Sequence, residues 1–363
     1  MTCFTLNGKA VISQSSPSTR LSEVLRSEMG LSGTKIGCNA GDCGACSVLL
    51  DDAPICSCLT TVAQVGGAKV TSIEGLNAEN ITSKLQESFL AHGAAQCGIC
   101  TPGMMVAAHA LLDKNPTPNR CDVEDALGGV LCRCTGYGKI IEAVLSVNLD
   151  RPERSLPQVG CSVGTPIRHL DGQSKVDASL LYGDDAAPQD SVMVRVIRSP
   201  HHYASFKIGD KAAFLSNHPE IMAVLDASDV PGRNCFGVIP PFADQPVFAE
   251  ETALYRGDAV AAIVGEADVI TRFDEADFPI TWDPHDTMLT PEAAMDVNAP
   301  NLHESRDGNI LVRGYVECGD ADSALAAAKH TVEIRTKTPF IEHAYIEPEA
   351  GYAVREGNRI VIR

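Results

Sequence analysis

Eight cysteines before residue 135 fall into two quartets of different spacing: Cys38, Cys43, Cys46 and Cys58, then Cys97, Cys100, Cys132 and Cys134. The first reads C-x4-C-x2-C followed by a fourth cysteine, the plant-type ligand spacing of a [2Fe–2S] cluster. The second sets C-x2-C against C-x-C across a helical stretch. Two thiol quartets this close in sequence oblige the chain to hold two metal centres near one another, which is the construction of an electron wire.

Composition narrows the setting. The chain has 363 residues, room for two or three domains, and a formal net charge of −18 at pH 7. That balance supplies no basic face for phosphate, so a nucleic-acid partner is not expected. Its 14 cysteines are well below the density of a disulfide scaffold. Met1–Ala10 has neither a charged n-region nor an apolar h-region, and no stretch approaches the ~18 uninterrupted apolar residues of a membrane-spanning helix. The expected location is a reducing cytoplasm, where clustered cysteines mean metal.

Local signals divide the chain. Thr2–Leu6 and Lys9–Ser13 flank Asn7–Gly8, a two-residue hairpin turn. Ser18 is placed to cap a short helix carrying Leu21, Val24 and Leu25, with Gly30 ending it. A glycine-rich loop from Gly33 to Gly44 holds three of the cysteines, and Cys46–Leu50 and Pro54–Leu59 make a second hairpin around Asp51–Asp52. From Asn80 the apolar period changes to about 3.6 residues and marks four short helices. These run through Ile81–Leu90, Met104–Leu112 (with Pro102 in the first turn), Val123–Leu131 and Ile140–Leu145, a compact helical arrangement. Asp150–Gly172 shows no period and reads as a linker. Beyond it, β-like runs such as Val192–Ile197 and Ala259–Val264 mix with helical pieces such as Asp322–Lys329. Gly351–Val354 and Arg359–Ile362 form a last hairpin, whose apolar edge is expected to be covered by another chain.

The chemistry lies in the thiols. An iron–sulfur cluster needs four soft thiolates with backbone amides aimed at sulfur, and Gly37, Gly41 and Gly44 let the backbone wrap closely around the first three. Cys56 and Cys58 share a strand face by parity, so spacing leaves both open as the fourth ligand. Zinc is the alternative occupant of this quartet, although zinc loops usually come as paired short spacings. The second quartet taken alone suits zinc or structural thiols as well as a cluster. Thr101–Pro102–Gly103 after Cys100, and Thr135–Gly136 after Cys134, place both halves at helix starts, where the dipole favours an anionic cluster.

The strings GTKIGCNAGDCGACSVLLDD, QCGICTPGM and LCRCTGYGKI resemble signatures of the molybdenum hydroxylases, the xanthine dehydrogenase and aldehyde oxidoreductase family. Past the linker, Ile167–Asp171, Val194–His201 and Val247–Ala259 resemble that family's hammerhead region, and Thr338–His343 with Glu347–Ala350 its first molybdenum-domain lines. The resemblance implies a multidomain α+β fold: a plant-ferredoxin-like β-grasp [2Fe–2S] domain over 1–75, a four-helix [2Fe–2S] domain over 76–149, a linker over 150–172, and over 173–363 a mixed α/β hammerhead domain with the beginning of a molybdenum-binding domain. It implies that the eight cysteines ligate two [2Fe–2S] clusters, with Cys58 rather than Cys56 as fourth ligand of the first. It also implies that Gln96 contacts a pterin and that Cys134 is the ligand nearest it.

Two departures shape the functional expectation. No flavin domain separates the helical part from the hammerhead, and the chain stops before the family's pterin loops and catalytic glutamate. The resemblance therefore implies an electron-transfer subunit of a multisubunit molybdenum hydroxylase, oxidising an N-heterocycle or aldehyde with water as oxygen source and carrying no catalytic residue itself. Molybdopterin is expected at the interface with a molybdenum-binding catalytic subunit, and FAD only on a partner, so that a flavin subunit or another acceptor receives the electrons. The alternatives are a non-catalytic scaffold with one [2Fe–2S] and one zinc site, or a fragment of a single-chain aldehyde oxidoreductase. His201, His202 and His343 have no clustered partners and read as structural. Cys3, Cys121, Cys161, Cys235 and Cys318 lack companions and read as buried small hydrophobic residues.

Overall fold

The computed structural model describes residues 1–363 except 150–156, 166, 189, 240–242, 304, 305 and 307. Part of the expected linker thus lies outside the described residues. The chain forms two compact units, one made of Met1–Ala187 with Thr338–Arg363, the other of Pro188–Lys337.

In the first unit, β1 (Thr2–Leu6) and β2 (Lys9–Ser13) pair antiparallel, Thr2 opposite Ser13 and Leu6 opposite Lys9. Asn7 and Gly8 turn the chain at φ 49° and 77°, the left-handed pair that matches hairpin twist. A second hairpin, β3 (Ser47–Leu50) with β4 (Ala53–Cys56), turns on Asp51 and Asp52. One strand escapes the sequence pattern: β5 (Lys69–Thr71), whose three residues are too few to show alternation. It completes a sheet of order β2–β1–β5–β3–β4, parallel to β1 and antiparallel to β3. Phe4, Leu6, Val48 and Val70 share a core with Leu21, Val24 and Leu25.

Those last three lie on α1 (Leu21–Glu23) and the wider turn that continues it to Glu28, before Gly30 at φ 71°. The expected Ser18 cap is absent. Arg20 holds the N-cap position without a side-chain bond, and Ser18 Oγ lies 3.1 Å from Ser16 Oγ. The reason is tertiary: the Thr60 carbonyl accepts the Leu21 N–H at 2.7 Å and Ser57 accepts that of Ser22, so the free amides are already satisfied.

After the single turn α2 (Ile73–Leu76) come α3 (Asn80–His92), α4 (Thr101–Lys114), α5 (Arg120–Leu127) and α6 (Gly138–Leu145). α4 is buried at every position from Thr101 to Ala110, as befits a helix apolar on all sides. Leu85 and Phe89 of α3, Val123 and Leu127 of α5, and Ile140 and Val144 of α6 share its core, joined by Val176 of α7 (Gly172–Val176). Asn119 caps α5, accepting from the Asp122 N–H at 3.1 Å while the Asp122 carboxylate accepts from the Asn119 N–H at 2.9 Å.

The second unit holds two three-stranded sheets. One runs β6 (Met193–Arg198), β10 (Ala259–Gly265), β8 (Ile221–Leu225), and the other β11 (Ile280–Pro284), β7 (Ala204–Ile208), β9 (Thr252–Ala253). The apolar run of β10 makes it the central strand of the first sheet, where it packs with Phe214 of α8 (Lys211–Asn217) and Ile270 of α9 (Ala267–Arg272). α10 (Pro291–Ala294) and α11 (Ala321–Ala327) follow. The final hairpin, β12 (Ala353–Glu356) and β13 (Arg359–Ile362), belongs to the first unit. No helix among the described residues is long and apolar enough to cross a membrane.

The five companionless cysteines are not buried. Cys3, Cys121, Cys161 and Cys318 are exposed and Cys235 is half-buried. Cys3 has the opposite strand parity to Phe4 and Leu6, and Cys121 stands on the first turn of α5, off the face that buries Val123 and Leu127.

Candidate metal centres

Three of the first quartet, Cys38, Cys43 and Cys46, lie on the loop between α1 and β3, and Cys58 follows β4. Cys38 Sγ accepts N–H groups from Ala40 at 3.4 Å and Cys43 at 3.3 Å, and the Cys38 N–H donates to Cys43 Sγ at 3.4 Å. Burial works against ionisation of Cys38, but amide donation from Ala40, Cys43 and Asp42 brings its thiol down to about 7. Cys43, Cys46 and Cys58 are buried and Cys38 is exposed, so one corner of this centre faces solvent.

The fourth corner turns on where β4 stops. The strand ends at Cys56, and Ser57 Oγ then ties the chain back to the Cys46 carbonyl at 2.7 Å. The two candidate thiols therefore do not share a strand face, contrary to the parity reading. Cys58 is buried and its thiol meets Cys46. Burial first, then that contact, pushes it up to about 12. Cys56 is half-buried, with its Sγ 3.8 Å from the Gly41 carbonyl, and its thiol also meets Cys46, so burial rather than that contact distinguishes the two.

The second quartet frames the start of α4. Cys100 occupies the N-cap with Pro102 in the first turn, as expected from the sequence. Cys97 Sγ accepts the Ile99 amide and lies 3.5 Å from Cys134 Sγ. Burial, the larger influence, pushes the Cys97 thiol up to about 11. The bond to Cys100 pulls the Cys132 thiol down to about 5 against the effect of burial, while Cys100 itself is pushed up. Cys132 and Cys134 do not stand at a helix start, because α6 begins only at Gly138. Thr135 and Tyr137 organise the intervening turn. Thr135 Oγ1 lies 3.1 Å from Cys132 Sγ and accepts from the Tyr137 N–H at 3.1 Å, and Tyr137 Oη accepts from the Cys132 N–H at 3.0 Å. Tyr137 does this at φ 66°, a conformation a bulky residue holds only when its surroundings fix it. The sequence marks Thr135 only as part of a helix start and gives Tyr137 no role, although both lie in LCRCTGYGKI.

The two quartets are joined backbone to backbone. The Leu131 N–H donates to the Cys43 carbonyl at 2.8 Å. A Cβ on Gly103, in the first turn of α4, would lie 2.5 Å from the Gly44 carbonyl oxygen, and one on Gly44 would strike the Gly129 carbonyl. Arg133, between two ligand candidates, donates through Nε to the His343 carbonyl at 2.5 Å and through Nη2 toward that of Glu342 at 3.4 Å. Gln96 is exposed beside Cys97. Among the described residues no histidine enters either quartet: the His201 ring stands edge-on to Trp282 at 5.5 Å, and His343 takes part through its carbonyl.

Among the described residues no three His, Cys, Asp or Glu side chains converge as they would on a single metal ion. The thiols meet pairwise instead: Cys38 with Cys43, Cys46 with Cys58 and also with Cys56, Cys97 with Cys134, and Cys100 with Cys132. Four soft sulfurs per quartet, backed by amide donors, fit a [2Fe–2S] cluster in each.

Comparison with known proteins agrees. Residues 4–64 match the family of 2Fe-2S iron-sulfur cluster binding domains, residues 72–145 the [2Fe-2S] binding domain family, and residues 177–275 the aldehyde oxidase and xanthine dehydrogenase a/b hammerhead domain. The chain is 30% identical to an aldehyde oxidoreductase of Megalodesulfovibrio gigas over 92% of its own length, yet spans only 39% of that protein. It is 45% identical to the nicotinate dehydrogenase small FeS subunit of Eubacterium barkeri over 38% of its length, covering 88% of that relative. The solved aldehyde oxidoreductase from Desulfovibrio gigas superposes with a TM-score of 0.79 at 29% identity, over 91% of this chain and 39% of that one.

Proposed function

The chain belongs to the molybdenum hydroxylase family, and from that premise we propose that it is the electron-transfer part of an enzyme oxidising an N-heterocycle or an aldehyde with water as oxygen source. In this reading Cys38, Cys43, Cys46 and Cys58 ligate one cluster and Cys97, Cys100, Cys132 and Cys134 the other. Gln96 and Cys134 face the pterin of a molybdenum-binding catalytic subunit, and a flavin subunit or another acceptor takes the electrons. The domains fall at 1–75, 76–149 and 173–363, with 150–172 as the linker. When bound, the two [2Fe–2S] clusters supply one-electron carriers.

The observation that carries this reading is the 2.8 Å bond from the Leu131 amide to the Cys43 carbonyl. It connects a ligand of one quartet to the chain neighbour of Cys132 in the other, so one peptide unit and one hydrogen bond separate the two sets. The remaining side chains position and shield. Tyr137 and Thr135 fix the Cys132 turn, α4 keeps water from Cys100, and exposed Cys38 leaves an outlet to solvent. That division of labour, with cofactor chemistry held in place by the protein, is the usual one.

A second reading has its own support. The alignment over 92% of this chain lies within one aldehyde oxidoreductase polypeptide, so the same domains can serve in a chain that carries its own molybdenum part. Purification from the native source separates the two, since molybdenum travels either on a second polypeptide or on this one.

The central test is the chain's metal content and its reduced EPR spectrum. Two distinct rhombic [2Fe–2S] signals with about four iron per chain are expected. One signal accompanied by one zinc would overturn the reading. Within the first quartet, Cys56→Ser should leave both signals intact and Cys58→Ser should bleach the first. The reverse result would move the fourth ligand to Cys56.

A further inference from the structure

A buried ion cluster outside the thiol quartets touches both of their loops. Lys35 lies three residues before Cys38, and its side chain is 2% exposed. Its Nζ bonds Asp185 Oδ2 at 2.8 Å and the Leu180 carbonyl at 2.9 Å, and stands 5.0 Å from the centre of the Tyr182 ring. Asp185, 3% exposed, is also held by Arg26 Nη2 at 2.6 Å and by the Tyr182 N–H at 3.0 Å. The Tyr182 hydroxyl then donates to the carbonyl of Cys97 at 2.8 Å. That ring sits where Gly98 leaves room, since a Cβ there would lie 2.5 Å from Tyr182 Oη. Segment 180–185 is thus bonded at both ends, through Leu180 and Asp185, to Lys35 on the approach of the first quartet, and through Tyr182 between them to a ligand candidate of the second.

We propose that Lys35, Asp185 and Tyr182 form a clasp that fixes the Cys38 and Cys97 loops to one segment, and that its buried charges set the reduction potentials of the centres held there. This rests on the two-cluster reading given above. A thiolate-ligated cluster is anionic and gains one more negative charge on reduction, so a cation nearby favours the reduced state and an anion disfavours it. Buried charges are screened far less by solvent than exposed ones, so a single neutralisation is felt at the loop it adjoins. Burial opposes ionisation of Asp185, yet the bonds from Lys35, the Tyr182 amide and Arg26 hold its carboxyl below the ordinary carboxylate range. Asp184 reaches Arg26 at 3.5 Å but is 58% exposed, which leaves its charge to solvent. Glu74 is half-buried and engaged by the Gly33 N–H and the Ser72 hydroxyl. Each single substitution changes the local charge by one in a known direction, whatever the total.

The test uses the full chain with its iron, after the wild type has shown both [2Fe–2S] signals; absence of those signals would sink the parent reading before any variant is made. Redox titration of each EPR signal is then compared across variants. Lys35→Met is expected to lower the potential of the first centre, Asp185→Asn to raise it, and Lys35→Arg to restore it. Tyr182→Phe should alter the line shape of the second signal while sparing the first. A structural role alone would lower stability in Lys35→Met and Asp185→Asn alike without opposite shifts in potential, and that outcome overturns the assignment of charge. If either single variant fails to fold, the double Lys35→Met, Asp185→Asn variant removes the pair whole, which is often tolerated. Its potentials should return to the wild-type values. A second signal unmoved by Tyr182→Phe overturns the clasp by itself.

Discussion

Gly44→Ala is expected to be the most damaging single methyl that can be added to this chain. Gly44 sits at φ +66°, and an added Cβ would collide with the Gly129 carbonyl and crowd Val130 Cα at 2.9 Å. Both obstacles are backbone, so no side chain can swing aside. The left-handed penalty and the overpacking together come to roughly 3 kcal/mol. The thermal transition of the first unit should fall accordingly, and that of Pro188–Lys337 should not. The displaced contact also carries the Leu131–Cys43 bond, so the magnetic interaction between the two reduced centres should weaken. Gly8→Ala is the control: φ is +77° but nothing lies within 4 Å, and the cost should stay near 1 kcal/mol. Equal losses from the two substitutions would contradict the close packing of the quartets.

Cys43→Ser and Cys132→Ser should each remove one centre and spare the other. Each serine replaces a soft thiolate in a separate set of four, so iron should fall from about four to about two per chain in either variant. Reduced EPR should lose the first signal in Cys43→Ser and the second in Cys132→Ser. The link between the quartets uses the Cys43 carbonyl and the Leu131 amide, neither of which the substitutions alter. Loss of both signals from one serine would show that the quartets assemble as a single unit.

Features with a local cause could be read in advance. Asn7–Gly8 and Asp51–Asp52 turn at positive φ, and α3 to α6 follow apolar periodicity. Spacing sorted eight thiols into two sets, and Cys100 stands at the N-cap that Pro102 announced. Features decided by distant partners could not be read. The Thr60 carbonyl takes the place of a Ser18 cap, and β5 is too short to signal itself. The relation of Cys56 to Cys58 depends on where β4 stops. Lys35 finds Asp185 across 150 residues, and Tyr182 finds Cys97 across 85, distances over which local pattern is silent. Tyr137 was visible as a letter but not as the acceptor for the Cys132 amide, because its left-handed backbone is set by the folded turn.

The grip of Arg133 on the Glu342 and His343 carbonyls has a consequence for timing. Arg133 and His343 lie 210 residues apart in sequence, and Ile346 beyond them packs on the backbone at Gly37. At about 5–20 residues per second of synthesis, roughly 10 to 40 seconds pass between the emergence of the last thiol and that of the segment that lies across both loops. During that interval the eight sulfurs are all present and not yet covered on this side. Metal delivery to a nascent chain would fall in that window, before Arg133 ties the Cys132–Cys134 turn to the Glu342 and His343 carbonyls.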